Sequence, residues 1–492
     1  MATEKQVIEG APAVGVDSRE VGIPCAAYLE MEEDWQLIHD LRGGTQAMRD
    51  NATDWLPKEP NEGTDAWQAR IKRSYLLNAY DDAIDQLTAK PFSKPVTEKS
   101  ESGAVLPEQL RRMADNPCKD GRDLTQISKA VFDDGVDHGL VHIYVDYPAL
   151  KIRPNVQEER DGQIQPYLVH VSAPNMLGWL YRKDASGNKV LTQIRIREYA
   201  TVASGDYGSV EVETIRVVNE RWIELWEKIE DKLWKLKEVL PKTNPTIPLA
   251  TLYFNRTGFM TAKPALINLA WRNLEHFQSA SDQRNILRFA RCGFIHAAGF
   301  SPEELDEIRS IGAAIMVAGG ENSKIGYVEH KGTAIAAGKE DLERIELQME
   351  MLKLQPTTQR SGNVTATERV IDAAQSMTNI QAWIRATENA QLQWFQLATT
   401  WNSETFPEDY KFDIFSEFGL TAKAMEDLEF LLKACVEDKI PVEVLLSEVK
   451  RRSVIDEVWT VEGMMELLDA AGPTLPEKDD DDDLKDEGDE GE

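Results

Sequence analysis

The chain predicts an α+β fold, mainly helical, in which one β-rich lobe sits between helical segments. Three observations carry the prediction. Apolar residues recur at helical spacing over residues 26–134. From residue 140 to 254 the apolar runs shorten to strand length, rich in Val, Ile, Tyr and Trp and separated by turn residues. Beyond Pro264 helical runs return, and two long ones bracket a small glycine-rich insert. At 492 residues, 42% of them hydrophobic, the chain suffices for two to four domains or one elongated multi-lobed subunit.

Taken in order, residues 1–25 are mixed in character and contain glycine, which predicts a flexible N-terminal arm. Tyr28, Met31, Trp35, Ile38 and Leu41 mark a helix that ends at Gly43-Gly44. Ile71, Leu76, Ala79, Ala83 and Leu87 predict another over residues 67–88, closed by Pro91 and Pro95. Residues 123–134 read as a third. Leu140 to Tyr147 is β-rich and stops at Pro148. Strand-length runs follow at 167–171, 177–181, 190–199, 210–219, 221–229 and 232–240, with Ser186-Gly187-Asn188 and Ser204-Gly205-Asp206 as turns. The expectation is one antiparallel sheet, twisted into a sandwich-like lobe.

The helix expected over residues 264–291 begins apolar (Leu266, Ile267, Leu269, Ala270, Leu274, Phe277) and turns polar from Gln278 to Asn285. It recovers at Ile286, Leu287 and Phe289. A helix that loses its apolar stripe midway either crosses solvent or packs on polar neighbours. In the insert, residues 292–337, Ser301-Pro302-Glu303-Glu304 is a capping box with proline at the first helical position. Residues 312–317 and 325–328 predict strands around a turn at Gly319-Gly320-Glu321-Asn322, with Lys324 just beyond it. So small a module buries little surface alone and gains from packing against copies of itself.

The return helix, residues 338–354, sets Leu342, Ile345, Met349 and Leu352 opposite Glu340, Glu343, Glu346 and Glu350. That narrow stripe suits contact with neighbouring helices. In the polar loop 355–364, Gln359, Arg360, Ser361, Gly362 and Asn363 offer one cation, several hydrogen-bonding groups and little to bury. A long helix follows over residues 365–401 through Val370, Ala374, Met377, Ile380 and Ile384, ending at Trp394, Phe395 and Trp401. A short alternating segment at 412–418 and helices at 421–436, 441–451 and 460–468 come next. The acidic stretch 476–492 predicts a disordered, solvated tail.

Composition excludes several functions. A formal net charge of −30 argues against a broad basic surface for wrapping nucleic acid. Cys25, Cys118, Cys292 and Cys435 are far apart, without a CxxC pair, which predicts unpaired thiols in a reducing compartment. No apolar run approaches the roughly 20 residues of a membrane span, and no secretory signal is expected. There is no GxxxxGK[ST] phosphate loop. His138 and His142 are four apart, but Gly139 stands where a zinc protease needs Glu, so they read as surface or semi-buried histidines. Asp81-Asp82 and Asp133-Asp134 read as solvated charge. No catalytic residue, metal or cofactor is expected.

One collinear set of residues runs through most of the chain. It comprises Trp35, Leu41, Gly43-Gly44, Met48-Arg49, Leu56-Pro57, Tyr80, Leu87, Lys90-Pro91-Phe92, Pro95, Gly139 to Pro148 and Ile247-Pro248-Leu249. It continues with Leu266, Ala270, Asn273-Leu274, Ser279, Ser281-Asp282, Asn285, Met349, Gly362 and Thr365-Ala366-Thr367. This set resembles the portal, or head-to-tail connector, family of tailed bacteriophages. The resemblance implies a homo-oligomeric ring of about twelve subunits at one capsid vertex. In that scheme residues 26–263 form the wing, 264–291 and 338–354 the stem, 292–337 the clip, 355–364 the tunnel loop, 365–420 the long helix and wing return, and 421–475 the crown. Gln359, Arg360, Ser361, Gly362 and Asn363 would face double-stranded DNA in transit, without sequence recognition. Ser301, Glu303, Glu304, Asn322 and Lys324 would dock the terminase large subunit and tail adaptors. Leu342, Ile345, Met349 and Leu352 would pack subunits together. Capsid and scaffolding proteins complete the implied partners, and the implied location is the virion, after assembly in the host cytoplasm. The competing expectation is a phage structural or adaptor protein that forms no ring and binds partners through its C-terminal helices.

Overall fold

The structure, a computed structural model, describes residues 10–100, 102–148, 164–242, 244–292, 294–299, 324–328, 333–353, 366–402, 405–416, 430–437, 439–451 and 461–471. It is an α+β chain in two units, one ending at Ser416 and one beginning at Glu417.

The first unit opens with helices α1 (Ala26–Arg42), α2 (Gly44–Asp50), α3 (Ala52–Trp55), α4 (Thr64–Arg73), α5 (Ala79–Ala89), α6 (Glu108–Asp115) and α7 (Leu124–His138). The single helix expected over 67–88 is instead two, α4 and α5. Ser74 is extended and ends α4, and the Asn78 side chain accepts from the Asp81 N–H to start α5. The link between them leaves Tyr75 and Leu77 exposed. Both halves of a capping box at Asp123 and Gln126 start α7, and Gly139 ends it at φ 80°. A Cβ on Gly139 would lie 2.1 Å from the Lys263 carbonyl oxygen, so the backbone conformation and the close approach both require glycine.

The strands are β1 (Asp17–Ser18), β2 (Thr97–Ser100), β3 (Leu140–Asp146), β4 (Tyr167–Ser172), β5 (Met176–Lys183), β6 (Lys189–Ser204), β7 (Gly208–Asn219), β8 (Trp222–Glu230), β9 (Leu233–Pro241), β10 (Leu249–Tyr253), β11 (Arg256–Gly258) and β12 (Thr261–Ala262). The lobe expected as one sheet holds two larger antiparallel ones, ordered β1-β9-β8-β7-β6-β5 and β10-β3-β4. The six-stranded sheet is covered on both faces. On one side Ile215, Val217, Trp226, Trp234 and Leu236 meet Tyr28, Met31 and Trp35 of α1. On the other, Ile194, Ile196 and Val218 meet Tyr144 and Val171 of the small sheet. Burying one such apolar side chain stabilises the fold by about 1.5–3 kcal/mol. Where a flexible arm is expected, β1 pairs with β9. The Arg195 guanidinium donates to the Val21 and Ile23 carbonyls at 2.8 and 2.7 Å.

The remaining elements of this unit are α8 (Ile267–Cys292), β13 (Phe294–Ala298), β14 (Lys324–Val328), α9 (Thr333–Leu352), α10 (Ala366–Asn402) and β15 (Tyr410–Asp413). β14 pairs with β13, a segment without a strand assignment from the sequence; residues 312–317 lie outside the described residues. β15 pairs with β2, joining distant parts of the chain. α10 is 37 residues long, about 55 Å. Its later half buries Ile380, Trp383, Ile384, Trp394 and Phe395. The Trp383 indole donates to the Phe254 carbonyl at 3.0 Å and shares an aromatic cluster with Phe132 and Phe254.

In the second unit, residues 430–436 are helical, followed by α11 (Val442–Arg451) and α12 (Val461–Ala471), which pack on each other. The earlier part of the helix expected at 421–436 and the acidic stretch 476–492 lie outside the described residues.

Candidate functional site

The pair α8 and α9 is the part of the fold that the sequence singles out. Its contacts run antiparallel. His276 Nε2 lies 3.2 Å from Glu346 Oε1, and Gln283 Nε2 donates to the Ile335 carbonyl at 2.8 Å. Gly338 lies inside α9 and not at its start, and a Cβ there would sit 2.2 Å from Gln283 Oε1. Ile345 and Met349 are buried, while Leu342 and Leu352 are half-buried. Leu347 and Met351, each 55% exposed, face outward. Leu347 shares an open groove with Leu77, Asp82, Glu343, Glu346 and Glu350.

The polar run of α8 packs on polar neighbours of its own chain. Asn273, fully buried, accepts from the Tyr80 N–H at 2.9 Å and donates to the Leu77 carbonyl at 2.8 Å. Gln278 donates to the Trp55 carbonyl at 2.9 Å, and the Ser281 and Ser74 hydroxyls lie 3.0 Å apart. Arg284 donates to the Arg73 carbonyl at 3.2 Å. Arg70, only 5% exposed, holds both Glu62 oxygens at 2.9 Å and the Pro57 carbonyl at 2.8 Å, with Asp282 at 3.7 Å. The hydrogen bond from Arg70 lowers the Glu62 pKa, whereas burial raises that of Asp282. Each such bond is worth about 0.5–1.5 kcal/mol net, so their direction matters more than their sum.

Of the acidic pairs, Asp81, Asp133 and Asp134 hold partners, contrary to the expectation from sequence, whereas Asp82 is exposed as expected. Arg42 reaches from α1 to Asp81, to Asp133 at 2.6 Å, to Asp137 at 3.1 Å and to Asp85 at 3.4 Å. Tyr80 donates its hydroxyl to Asp137 at 3.0 Å. Burial pushes the Asp137 carboxyl up to about 7, against the pull of Arg42 and His138. Burial would also raise Asp134, but His138 at 2.6 Å and His170 at 2.7 Å hold its carboxyl far below the usual range. Ser172 donates to it at 2.7 Å. His142 is buried in β3 beside Thr251 Oγ1 at 3.0 Å, and burial lowers its pKa to about 3. These groups tie α1, α5, α7 and β4 together. Among the described residues no group of three or more His, Cys, Asp or Glu is placed to hold a metal ion, and no helix is long and apolar enough to cross a membrane.

Of the residues marked from the sequence, Ser301, Glu303, Glu304 and Asn322 lie outside the described residues, as do Gln359, Arg360, Ser361, Gly362 and Asn363. Lys324 opens β14, exposed and opposite Ala298. Sequence reasoning missed the α8 anchors, although a signal existed. Asn273 and Ser281 fall in phase with Leu266, Ala270 and Phe277, at core positions of the same stripe.

The class defined by this geometry is an α+β chain built around a packed antiparallel helix pair that leads into a third, longer helix. A family profile described as "Domain of unknown function (DUF4055)" matches residues 265–402, from just before α8 to the end of α10. No curated protein matches the chain. Among solved structures there is a remote likeness to a chain of the "Neck of empty GTA particle computed with C6 symmetry". It has 8% identity and a TM-score of 0.38, over 71% of this chain and 84% of that one. A second is a chain of the "Neck of native GTA particle computed with C12 symmetry", with 8% identity and a TM-score of 0.37, over 72% and 84%.

Proposed function

We propose that the chain is the subunit of a portal-type ring at a capsid vertex, through which double-stranded DNA is packaged and ejected. The observation that carries this reading is the antiparallel packing of α8 on α9, followed directly by residues 354–365 and by α10. The profile match over 265–402 spans this whole helix–insert–helix–loop–helix series. The collinear residues quoted above add the portal resemblance. In this reading α8 and α9 are stem staves, and the insert from 292 to 337 docks the terminase and tail adaptors. Residues 355–364 approach the DNA, and Leu347 and Met351 meet a neighbouring subunit.

The acidity has a role in the same reading. Twelve copies at −30 carry a formal charge of about −360, screened beyond roughly a Debye length. An acidic bore repels DNA and lets the duplex slide, and Arg360 is the single cation of its loop. Native mass measurement and end-on particle images of the purified chain test the proposal. A particle near twelve chain masses with a central hole is expected. A monomer, or particles with no hole, would overturn it.

A further inference from the structure

β6 and β7 outrun their neighbours. β5 pairs with β6 only as far as Ile196, and β8 pairs with β7 only from Thr214. β6 and β7 pair with each other out to Ser204 and Gly208. Residues 199–212 therefore stand off the sheet as a two-stranded ribbon, a structure that is marginal by itself in water. Opposed residues share a face, so Ala200 with Val212 and Val202 with Val210 line one side. Tyr199, Thr201, Glu211 and Glu213 line the other. The apolar side continues the face on which Ile194, Ile196 and Val218 are buried. Here, however, Val202 and Val210 are each 50% exposed, and Tyr207 at the tip is wholly so.

We propose that this ribbon is a self-association arm, which lays Ala200, Val202, Val210, Val212 and Tyr207 on a second copy of the chain. The inference rests on the ring reading and deepens it. Charge selects the occupant. Charged residues make up 28% of the chain, yet the ribbon, residues 199–212, contains two, Asp206 and Glu211. Copies carrying −30 each approach most easily where charge is thin. The receiving surface is the outer edge of strand β5, at the end of β6 opposite the arm. Its end exposes Leu180 and Tyr181, with Arg182, Lys183 and Lys189 exposed beside them. Apolar groups meet apolar groups there, and Asp206 at the arm's tip meets a basic rim. Because arm and receiving edge are different patches, the contact is head-to-tail, the geometry that closes rings.

The test uses the full chain in three forms besides wild type. One replaces residues 201–210 by Asn-Gly, one carries Val202→Glu with Val210→Glu, and one carries a photo-crosslinking phenylalanine analogue at position 207. Far-UV circular dichroism and melting are expected to stay as in wild type for the double-glutamate form, whose sites are solvent-facing. The concentration needed for assembly, read by native mass, is expected to rise at least about tenfold. The crosslinker is expected to join two chains, with peptides from residues 176–189 in the product. Assembly at wild-type concentration, or crosslinks confined to one chain, would overturn the arm. A shortened-arm variant that still forms rings with a hole defeats the arm and leaves the ring standing. Arm-dependent assembly without a hole does the reverse, and a monomeric wild type defeats both.

Discussion

Asn273→Ala isolates what fixes α8 in place. The side chain is fully buried and satisfies two backbone groups, the Tyr80 N–H at the start of α5 and the Leu77 carbonyl just before it. Truncation leaves the Tyr80 donor buried without a partner, at a cost of about 1–3 kcal/mol. The Leu77 carbonyl is nearer solvent, so water replaces part of its bond and the loss there is about 1 kcal/mol. The expected total is about 2–4 kcal/mol. Asn273→Asp keeps the acceptor for Tyr80 but turns an oxygen towards the Leu77 carbonyl and buries a charge, so it should cost more. Urea denaturation of the full chain, followed by far-UV circular dichroism, measures both, reading the transition that contains the α8 helix. Glu275→Ala, exposed on the same helix, is the control and should stay within about 0.5 kcal/mol. An Asn273→Ala variant as stable as that control would refute the reasoning.

Three further outcomes follow from the geometry. Gly139→Ala should cost at least about 3 kcal/mol or prevent folding, because strain at φ 80° adds to the clash with Lys263, whereas Gly187→Ala at φ 85° meets open space and should cost about 1 kcal/mol in the same urea titration. Arg42→Met should destabilise by about 3 kcal/mol near pH 8 by leaving Asp133 and Asp137 without their cation. Losing the cation raises the folded-state pKa of Asp137 further, so the deficit should shrink as pH falls towards 5, and a deficit independent of pH would count against the hub. His142 is neutral in the fold down to about pH 3, whereas the unfolded ring takes a proton below about 6.5. Stability from this group is therefore complete above pH 6.5 and lost as pH falls, by about 1.4 kcal/mol per unit. His142→Gln should flatten that limb in urea midpoints at pH 4.5 and 7, and parallel limbs for the two proteins would exclude it.

Helices were legible wherever an apolar stripe was uninterrupted. The run at 26–42 with its glycine stop is one case, and the run at 267–292 was read from its apolar ends despite its polar middle. Strand positions in the lobe were also readable, because each is bounded by turn residues. Division into two sheets was not, since β3 is buried along its whole length and shows no alternation to reveal its face. The break at Ser74–Asn78 escaped notice because Leu76 and Ala79 keep helical spacing across it. The pairing of β2 with β15 joins residues about 310 apart and leaves no local trace. The ion hubs were hidden for the same reason. Asp133 and Asp134 look like exposed helix charge until Arg42 and His170 arrive from other elements. Of the residues proposed to meet partners, Leu347 and Met351 emerge only when the fold takes Ile345 and Met349 for its own interior.

Oily contacts tolerate sliding, because one methyl group can stand in for another a short distance along. The bonds from Asn273, Gln278, Ser281 and Gln283 do not, since each has a single acceptor or donor at a fixed angle. Moving that helix along its axis by one residue, about 1.5 Å, would break all of them together. The helix thus behaves as a keyed shaft with one seated position, and a load applied along it is passed to the first helices of the chain and to α9.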